Sequence, residues 1–93
     1  MLHDDTDLTD RDKQLLAVWV ADPDRAWFGF DLMKHLGWGS GKLYPSLARL
    51  EARRWLVTEP EQLDAEETRP ARRFYRLRPG VLDEARAVLE GTS

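Results

Sequence analysis

The chain contains no cysteine and only two histidines, His3 and His35, among its 93 residues. The lack of thiols excludes a disulfide framework and thiolate zinc ligands, and two distant histidines do not form a metal-binding motif. No apolar run approaches the length of a membrane span, and the acidic N-terminus is unlike a signal peptide. We therefore expect a cytoplasmic protein with no metal, no cofactor and no membrane association.

The sequence also lacks the patterns that usually carry catalysis. It has no nucleophile motif, no glycine-rich phosphate loop and no convincing pair of carboxylates. Hydrophobic residues make up 42% of the chain and charged residues 33%, which favours one folded and highly soluble domain. We expect a protein that is not an enzyme, with a modest core that dimerisation often supplements at this size.

Acidic residues outnumber basic ones by 17 to 14, which gives a formal net charge of -3 and leaves positive charge in the minority. It is nevertheless concentrated in two blocks: residues 34–54 hold five basic residues against one acid, and residues 69–78 hold five arginines and no acid. Acids dominate the N-terminal third and the segment 59–67. If the fold brings the two blocks together, the protein has one cationic face that suits an anionic partner.

Two helices are predicted in the first third of the chain. The first follows Thr9, which can cap its N-terminus, and stops before Pro23. The second runs from about Ala26 to Leu36 with Phe28 on its buried line, and Gly37 suits its C-cap.

A third predicted helix spans residues 41–54, with Ser40 as its cap. Its apolar line holds Leu43, Leu47 and Leu50, and a second line about 90° away holds Lys42, Ser46, Arg49 and Arg53. Pro45 lies within the first two turns, where we expect the helix to survive it. Two helices joined by a short turn with glycine form the helix-turn-helix pattern.

The second half of the chain predicts a hairpin and one more helix. Residues 55–59 and 72–78 are rich in strand formers and flank an acidic loop, which together describe a wing. The fold class is therefore mainly α with a small β-hairpin: a winged helix-turn-helix with three N-terminal helices, a two-stranded wing and one C-terminal helix. We assign residues 1–8 to a flexible acidic N-terminus, 9–78 to the winged domain, and 79–93 to a short dimerisation helix and tail.

Three segments resemble motifs of the PadR family of bacterial transcriptional regulators. Gly29-Phe30-Asp31-Leu32 is similar to that family's Gly-Tyr-Glu/Asp-Leu, and residues 40–51, which contain Leu43-Tyr44-Pro45, are similar to its recognition helix. Residues 69–77 resemble its arginine-rich wing. The resemblance covers about residues 26–80. It departs at Lys42, at Arg54 where a helix-ending glycine is common, and in the short segment after the wing.

The resemblance implies a regulator that binds operator DNA as a homodimer, generally as a repressor, and that often responds to a small aromatic effector. The recognition helix would enter the major groove of a pseudo-palindromic operator, and the wing would meet the flanking backbone. The predicted DNA-binding residues are Lys42, Tyr44, Ser46, Arg49, Arg53, Arg72, Arg73 and Arg76. An ordinary solvated basic face is the alternative for the helix, and a winged-helix protein-protein adaptor without direct DNA binding is the alternative for the whole domain.

The homodimer would be formed mainly by the last helix. Its apolar residues Leu82, Ala85, Val88 and Leu89 are the predicted seam. Among the four tryptophans, Trp19 is the candidate to stack on an aromatic effector, with simple core packing as the default alternative.

Overall fold

The computed structural model of the protein describes residues 8–91, so most of the predicted flexible N-terminus lies outside the described residues. The elements in chain order are α1 (Asp10–Ala21), β1 (Trp27–Phe28), α2 (Gly29–Leu36), α3 (Ser40–Ala52), β2 (Leu56–Pro60), β3 (Arg73–Leu77) and α4 (Leu82–Leu89). This is a winged helix-turn-helix, mainly α with a β wing, as the sequence predicts. None of the helices within residues 8–91 has the length and apolar character needed to cross a bilayer.

The sheet has three antiparallel strands in the order β1-β3-β2, where the sequence predicts two. Trp27 pairs with Tyr75 and Phe28 with Phe74, so the predicted start of α2 at about Ala26 is wrong. Phe28 has extended backbone angles and stacks on Phe74 with ring centroids 4.2 Å apart, instead of lying on the buried line of a helix. The pairing partner is 46 residues later in the sequence, so helical periodicity alone could not reveal it.

The predicted N-terminal cap of α1 and the predicted C-terminal cap of α2 are confirmed. The Asp12 backbone N–H donates to the Thr9 hydroxyl at 3.1 Å, and the Thr9 N–H donates to the Asp12 carboxylate at 3.3 Å, a reciprocal capping box. Gly37 ends α2 in the left-handed conformation, with φ 71°.

The third helix survives Pro45 but begins differently from the prediction. Gly39 occupies the N-cap position without a side-chain hydrogen bond, and Ser40 is the first helical residue. At the other end, the Arg54 N–H donates to Glu51 C=O at 3.0 Å and the Trp55 N–H donates to Leu50 C=O at 2.9 Å. These bonds form a Schellman motif, with Arg54 at φ 68° in the position that glycine usually fills.

The core lies where α1, α3, α4 and the sheet meet. Leu43, Leu47 and Leu50 are buried from α3, as their spacing predicts. Trp19 is also fully buried, and its indole N–H donates to Tyr75 C=O at 3.2 Å. Of the two alternatives for Trp19, the structure supports core packing over stacking on an effector, because no part of its ring reaches solvent in the single chain.

The last helix packs its apolar face against α1 of the same chain. Ala85 is fully buried and Val88 is 8% exposed within the single chain, while Leu82 and Leu89 are half-buried. This corrects the predicted dimer seam for Ala85 and Val88, because the monomer already uses them to close its core. Leu82 and Leu89 keep apolar surface that a partner could cover.

Candidate nucleic-acid interface

The N-terminal half of α3 presents Lys42 and Tyr44 to solvent. The Lys42 ammonium lies 4.6 Å from the centroid of the buried Trp38 ring, a cation–π contact that orients it. Tyr44 packs on Gly29, where a methyl group would overlap the tyrosine hydroxyl. The Gly29 and Leu43-Tyr44-Pro45 segments therefore meet in space and fix the spacing of α2 and α3.

Ser46 lies on the same helix but faces inward. It is fully buried and donates a hydrogen bond of 2.8 Å from its hydroxyl to the Asp12 carboxylate on α1. The prediction that Ser46 contacts DNA is wrong, because its only polar group is sealed between two helices.

Arg49 is engaged by the same carboxylate. Its Nε and Nη2 atoms each donate to Asp12 oxygens at 2.9 Å, a bidentate pair, and Nη2 also lies 3.3 Å from the Ser46 hydroxyl. The side chain remains 34% exposed, but its charge is neutralised by the fully buried Asp12. The middle of the predicted cationic line thus faces α1, so Arg49 is a structural residue here and no longer a candidate for phosphate contact.

The buried carboxylate is held in its charged form. Burial raises the pKa of Asp12, but hydrogen bonds from Arg49, Ser46 and the Thr9 backbone outweigh it and leave the pKa below its ordinary value. Sequence reasoning missed this residue, because an acid in the first turn of a helix is favoured by the helix dipole and needs no further partner. The available signal was its spacing, because Asp12 lies three and four positions before the buried Leu15 and Leu16.

Arg53 stands at the C-cap of α3 and is partly buried. Its backbone N–H donates to Arg49 C=O at 2.9 Å, which helps to close the last turn. Lys42 and Arg53 therefore lie at opposite ends of α3.

The wing carries exposed arginines that pair with acids of the same hairpin. Glu61 accepts from Arg69 at 2.7 and 2.9 Å and from Arg72 at 3.2 and 3.4 Å. Hydrogen bonds from Arg69 and then Arg72 hold the pKa of Glu61 well below its usual range. Arg76 pairs with Glu59 at 2.9 Å. The acidic residues Glu59 and Glu61 therefore neutralise much of the positive charge of the wing.

Arg73 differs from its neighbours on the wing. It donates to the Thr58 hydroxyl at 3.2 Å, a neutral partner that leaves its charge in place. Of the predicted contacts, Lys42, Tyr44, Arg72, Arg73 and Arg76 are exposed on α3 and the wing, whereas Ser46 and Arg49 are turned toward α1.

No family model and no curated protein matches the chain. Among solved structures, it is similar to a possible transcriptional regulator from Methanosarcina mazei, with a TM-score of 0.70 and 18% identity over 94% of this chain and 68% of that one. The circadian clock associated protein Pex from Anabaena is similar with a TM-score of 0.65 and 16% identity, covering 86% and 74% of the two chains.

A mutant of MepR from a multidrug-resistant S. aureus clinical isolate is similar as well. Its TM-score is 0.67 and its identity 20%, covering 90% of this chain and 57% of that one. Together these likenesses establish the winged-helix fold of the chain.

Proposed function

We propose that the protein is a sequence-specific DNA-binding transcriptional regulator, a repressor that binds a pseudo-palindromic operator as a homodimer. The observation that carries this proposal is the exposure of Lys42 and Tyr44 on α3, with Tyr44 bordering the same cleft as the wing arginines Arg72 and Arg73. Of the similar solved structures, the protein from M. mazei is described as a possible transcriptional regulator and Pex as a circadian clock associated protein. The fold itself commonly places its third helix in the major groove.

In this mechanism the N-terminal half of α3 enters the major groove. Lys42 neutralises a phosphate, and the Tyr44 hydroxyl donates to a phosphate or a base edge. Arg53 approaches the backbone at the other end of α3. The wing arginines Arg72, Arg73 and Arg76 contact the flanking backbone, with Arg72 and Arg76 exchanging a carboxylate for a phosphate.

The proposed homodimer uses the outer face of α4. Leu82 and Leu89 are the two seam residues that stay half-buried in the single chain, so they are the ones that a second copy would cover. A two-fold protein would then read half-sites about one helical turn of DNA apart.

A salt titration with duplex DNA tests the proposal. Sequences selected by the protein from a random duplex pool supply the probe, and binding is measured between 50 and 200 mM salt, a range over which it should weaken steeply. Lys42→Gln and Arg73→Gln should each weaken binding and reduce the magnitude of the salt slope by about 1. Arg11→Gln, which removes an exposed charge from α1, is the matched control and should leave the slope unchanged.

Failure to bind any duplex at 50 mM salt, with the protein shown to be folded, would overturn the proposal. It would favour the second candidate, an adaptor that binds an acidic protein partner. The net charge of -3 and the ion pairs inside the wing weaken the attraction to a highly charged duplex, and they are the observations against direct DNA binding.

A further inference from the structure

The first turn of α2 lies beside both elements that carry the proposed DNA contacts. Its second residue, Phe30, borders a cleft of about 310 Å³ together with Tyr44 of α3 and with Arg72 and Arg73 of the wing. Phe30 is 59% exposed, more than any other large apolar residue within residues 8–91. A partner that enters the cleft therefore covers this ring as well as the cations.

Lys34 extends the same surface along α2. It lies four positions after Phe30, which places both side chains on one side of the helix. Its ammonium lies 5.4 Å from the centroid of the Phe30 ring, a cation–π contact. Within residues 8–91 Lys34 forms no ion pair, whereas the wing cations Arg72 and Arg76 are paired with carboxylates. The aromatic ring orients the Lys34 charge without neutralising it.

The same arrangement of ring and cation holds two of the proposed contacts. The Arg72 guanidinium lies 3.7 Å from the centre of the Phe28 ring, and the Lys42 ammonium lies 4.6 Å from that of Trp38. One short segment, residues 28–38, thus supplies the rings that orient cations of α2, α3 and the wing. Long side chains that are oriented before binding lose less entropy when an anionic partner binds.

An apolar ring between cations suits a polyanion in which charged and apolar groups alternate. The DNA backbone has this pattern, because each phosphate is followed by a deoxyribose with a largely apolar C–H surface. A strand that runs from α3 to the wing, as the proposed docking requires, passes the cleft and brings one sugar against the Phe30 ring. That contact removes apolar surface of both partners from water.

The ring of Phe30 carries no polar group, and this decides which sugar it accepts. In the PadR-family motif that residues 29–32 resemble, the corresponding tyrosine carries a hydroxyl. Deoxyribose presents C–H groups at C2′, whereas ribose presents a hydroxyl for which the Phe30 ring has no hydrogen-bond partner. Burying an unpaired hydroxyl costs free energy, and the 2′-hydroxyl is the group by which proteins distinguish RNA from DNA.

We propose that α2 forms a third wall of the DNA interface, in which Phe30 packs against a deoxyribose and selects it over ribose, while Lys34 binds an adjacent phosphate. Neither residue lies on α3 or on the wing, and neither is among the DNA contacts predicted from the sequence. The inference rests on the proposed function, because it names the sugar that the same interface accepts.

The test is a ribose scan of the selected operator duplex. One ribonucleotide replaces one deoxynucleotide at each position of a half-site in turn, and binding is measured at about 100 mM salt. Affinity should fall at least about fivefold at the position whose sugar lies against Phe30, and change little at the others.

Variants of Phe30 show whether its ring causes the penalty. Phe30→Ala should weaken binding to the all-DNA duplex about fivefold and remove the ribonucleotide penalty, because no ring then covers the sugar. Phe30→Tyr keeps the ring and adds a hydroxyl, so it should retain the affinity for DNA and reduce the penalty. Val57→Ala, which alters an exposed apolar residue outside the cleft, should change neither quantity. A purely structural role of Phe30 would lower the affinity for every duplex equally.

Lys34 is tested through charge. Lys34→Gln should reduce the magnitude of the salt slope by about 1, and Arg11→Gln is again the control. A methylphosphonate removes the charge of a single phosphate. Placed next to the sensitive sugar, it should weaken binding of the unmodified protein but not that of Lys34→Gln.

Three results would contradict the inference while leaving the proposed function intact. They are the lack of a ribose penalty at every position, a penalty that persists in full in Phe30→Ala, and an unchanged salt slope for Lys34→Gln. Failure to bind any duplex at about 50 mM salt would instead remove the proposed function, and this inference with it. The substitutions alter exposed side chains, and melting temperatures show that each variant keeps the fold.

Discussion

Two arginine–carboxylate clusters in this protein share their chemistry and differ in their surroundings. The Asp12 carboxylate, fully buried between α1 and α3, binds Arg49 at 2.9 Å. The Glu61 carboxylate, on the wing, is 14% exposed and binds Arg69 at 2.7 Å, and its two arginines are 43% and 49% exposed, against 34% for Arg49. A carboxylate sealed from water holds helices together, whereas a carboxylate that water reaches can exchange its partner at lower cost.

The difference assigns different roles to two groups of arginines that look alike in the sequence. Arg49 cannot leave Asp12 without stranding a buried charge, so it fixes the position of α3. The wing arginines can leave Glu59 and Glu61, because water or a phosphate can replace those carboxylates. The exchangeable pairs are therefore the ones suited to an anionic partner.

The largest effect is expected from Arg49→Ala. The change leaves the Asp12 charge buried with only the Ser46 hydroxyl and the Thr9 N–H as donors, and we expect a loss of about 3 kcal/mol in the free energy of unfolding. Urea unfolding followed by circular dichroism measures it, with Arg86→Ala as the control that should change by less than about 0.5 kcal/mol. A loss as small as the control's would mean that the α1–α3 pair behaves like the wing pairs.

The second largest effect is expected from acid, which should weaken the Asp12–Arg49 pair. The pKa of Asp12 is lowered in the folded protein, so its contribution to stability is present above the ordinary aspartate pKa near 3.8 and is lost as pH falls through the folded pKa. The free energy of unfolding should decline below about pH 4, and Asp12→Asn should reduce the steepness of this decline. Glu61→Gln is the comparison, since the pKa of Glu61 is also lowered, but by arginines that are exposed to water. An equal flattening by both variants would remove the distinction between the clusters.

Glu61→Gln is expected to have a smaller effect on stability and to change the affinity for duplex DNA. The melting temperature should hardly move, because the ion pairs are exposed. Duplex affinity at low salt should rise, and the magnitude of the salt slope should increase by about 1, as Arg69 and Arg72 become available to phosphate. Glu90→Gln at the end of α4 makes the same charge change away from the wing, and a rise of equal size there would indicate only a net-charge effect.

The smallest effect is expected at the end of α3. Arg54→Gly relieves a left-handed backbone at φ 68° and should stabilise the fold by no more than about 1 kcal/mol. Arg54→Ala keeps the unfavourable backbone and serves as the control in the same urea measurement. A gain from glycine as large as the loss from Arg49→Ala would show that backbone strain, and not the buried pair, governs the stability of α3.

Local signals predicted most of the fold. Thr9, Gly37 and the leucines of α3 were assigned correctly because capping and helical spacing involve neighbours within a few residues. Strand β1 was missed, since two residues carry no periodicity and their partner lies on the wing. The N-cap of α3 was assigned to Ser40, but the N-cap is the preceding residue, Gly39.

The candidate site was less accessible to sequence reasoning, because side-chain direction depends on what a helix packs against. Ser46 and Arg49 share a line with Lys42, yet α1 covers the middle of that line and leaves its first residue exposed. Ala85 and Val88 were predicted to contact a second copy of the chain, but they pack against α1 of the same chain. Trp19 was considered as a ligand contact for the same reason. Its spacing predicts that it faces inward but does not show which element packs against it.

The Asp12 carboxylate also bears on how the chain folds. One oxygen belongs to the capping box that starts α1, and both oxygens bind α3, across 37 positions of sequence to Arg49. Helix initiation and the docking of a distant helix thus depend on the same two atoms. We expect the first turn of α1 to gain and lose protection from hydrogen exchange together with α3, as one cooperative unit.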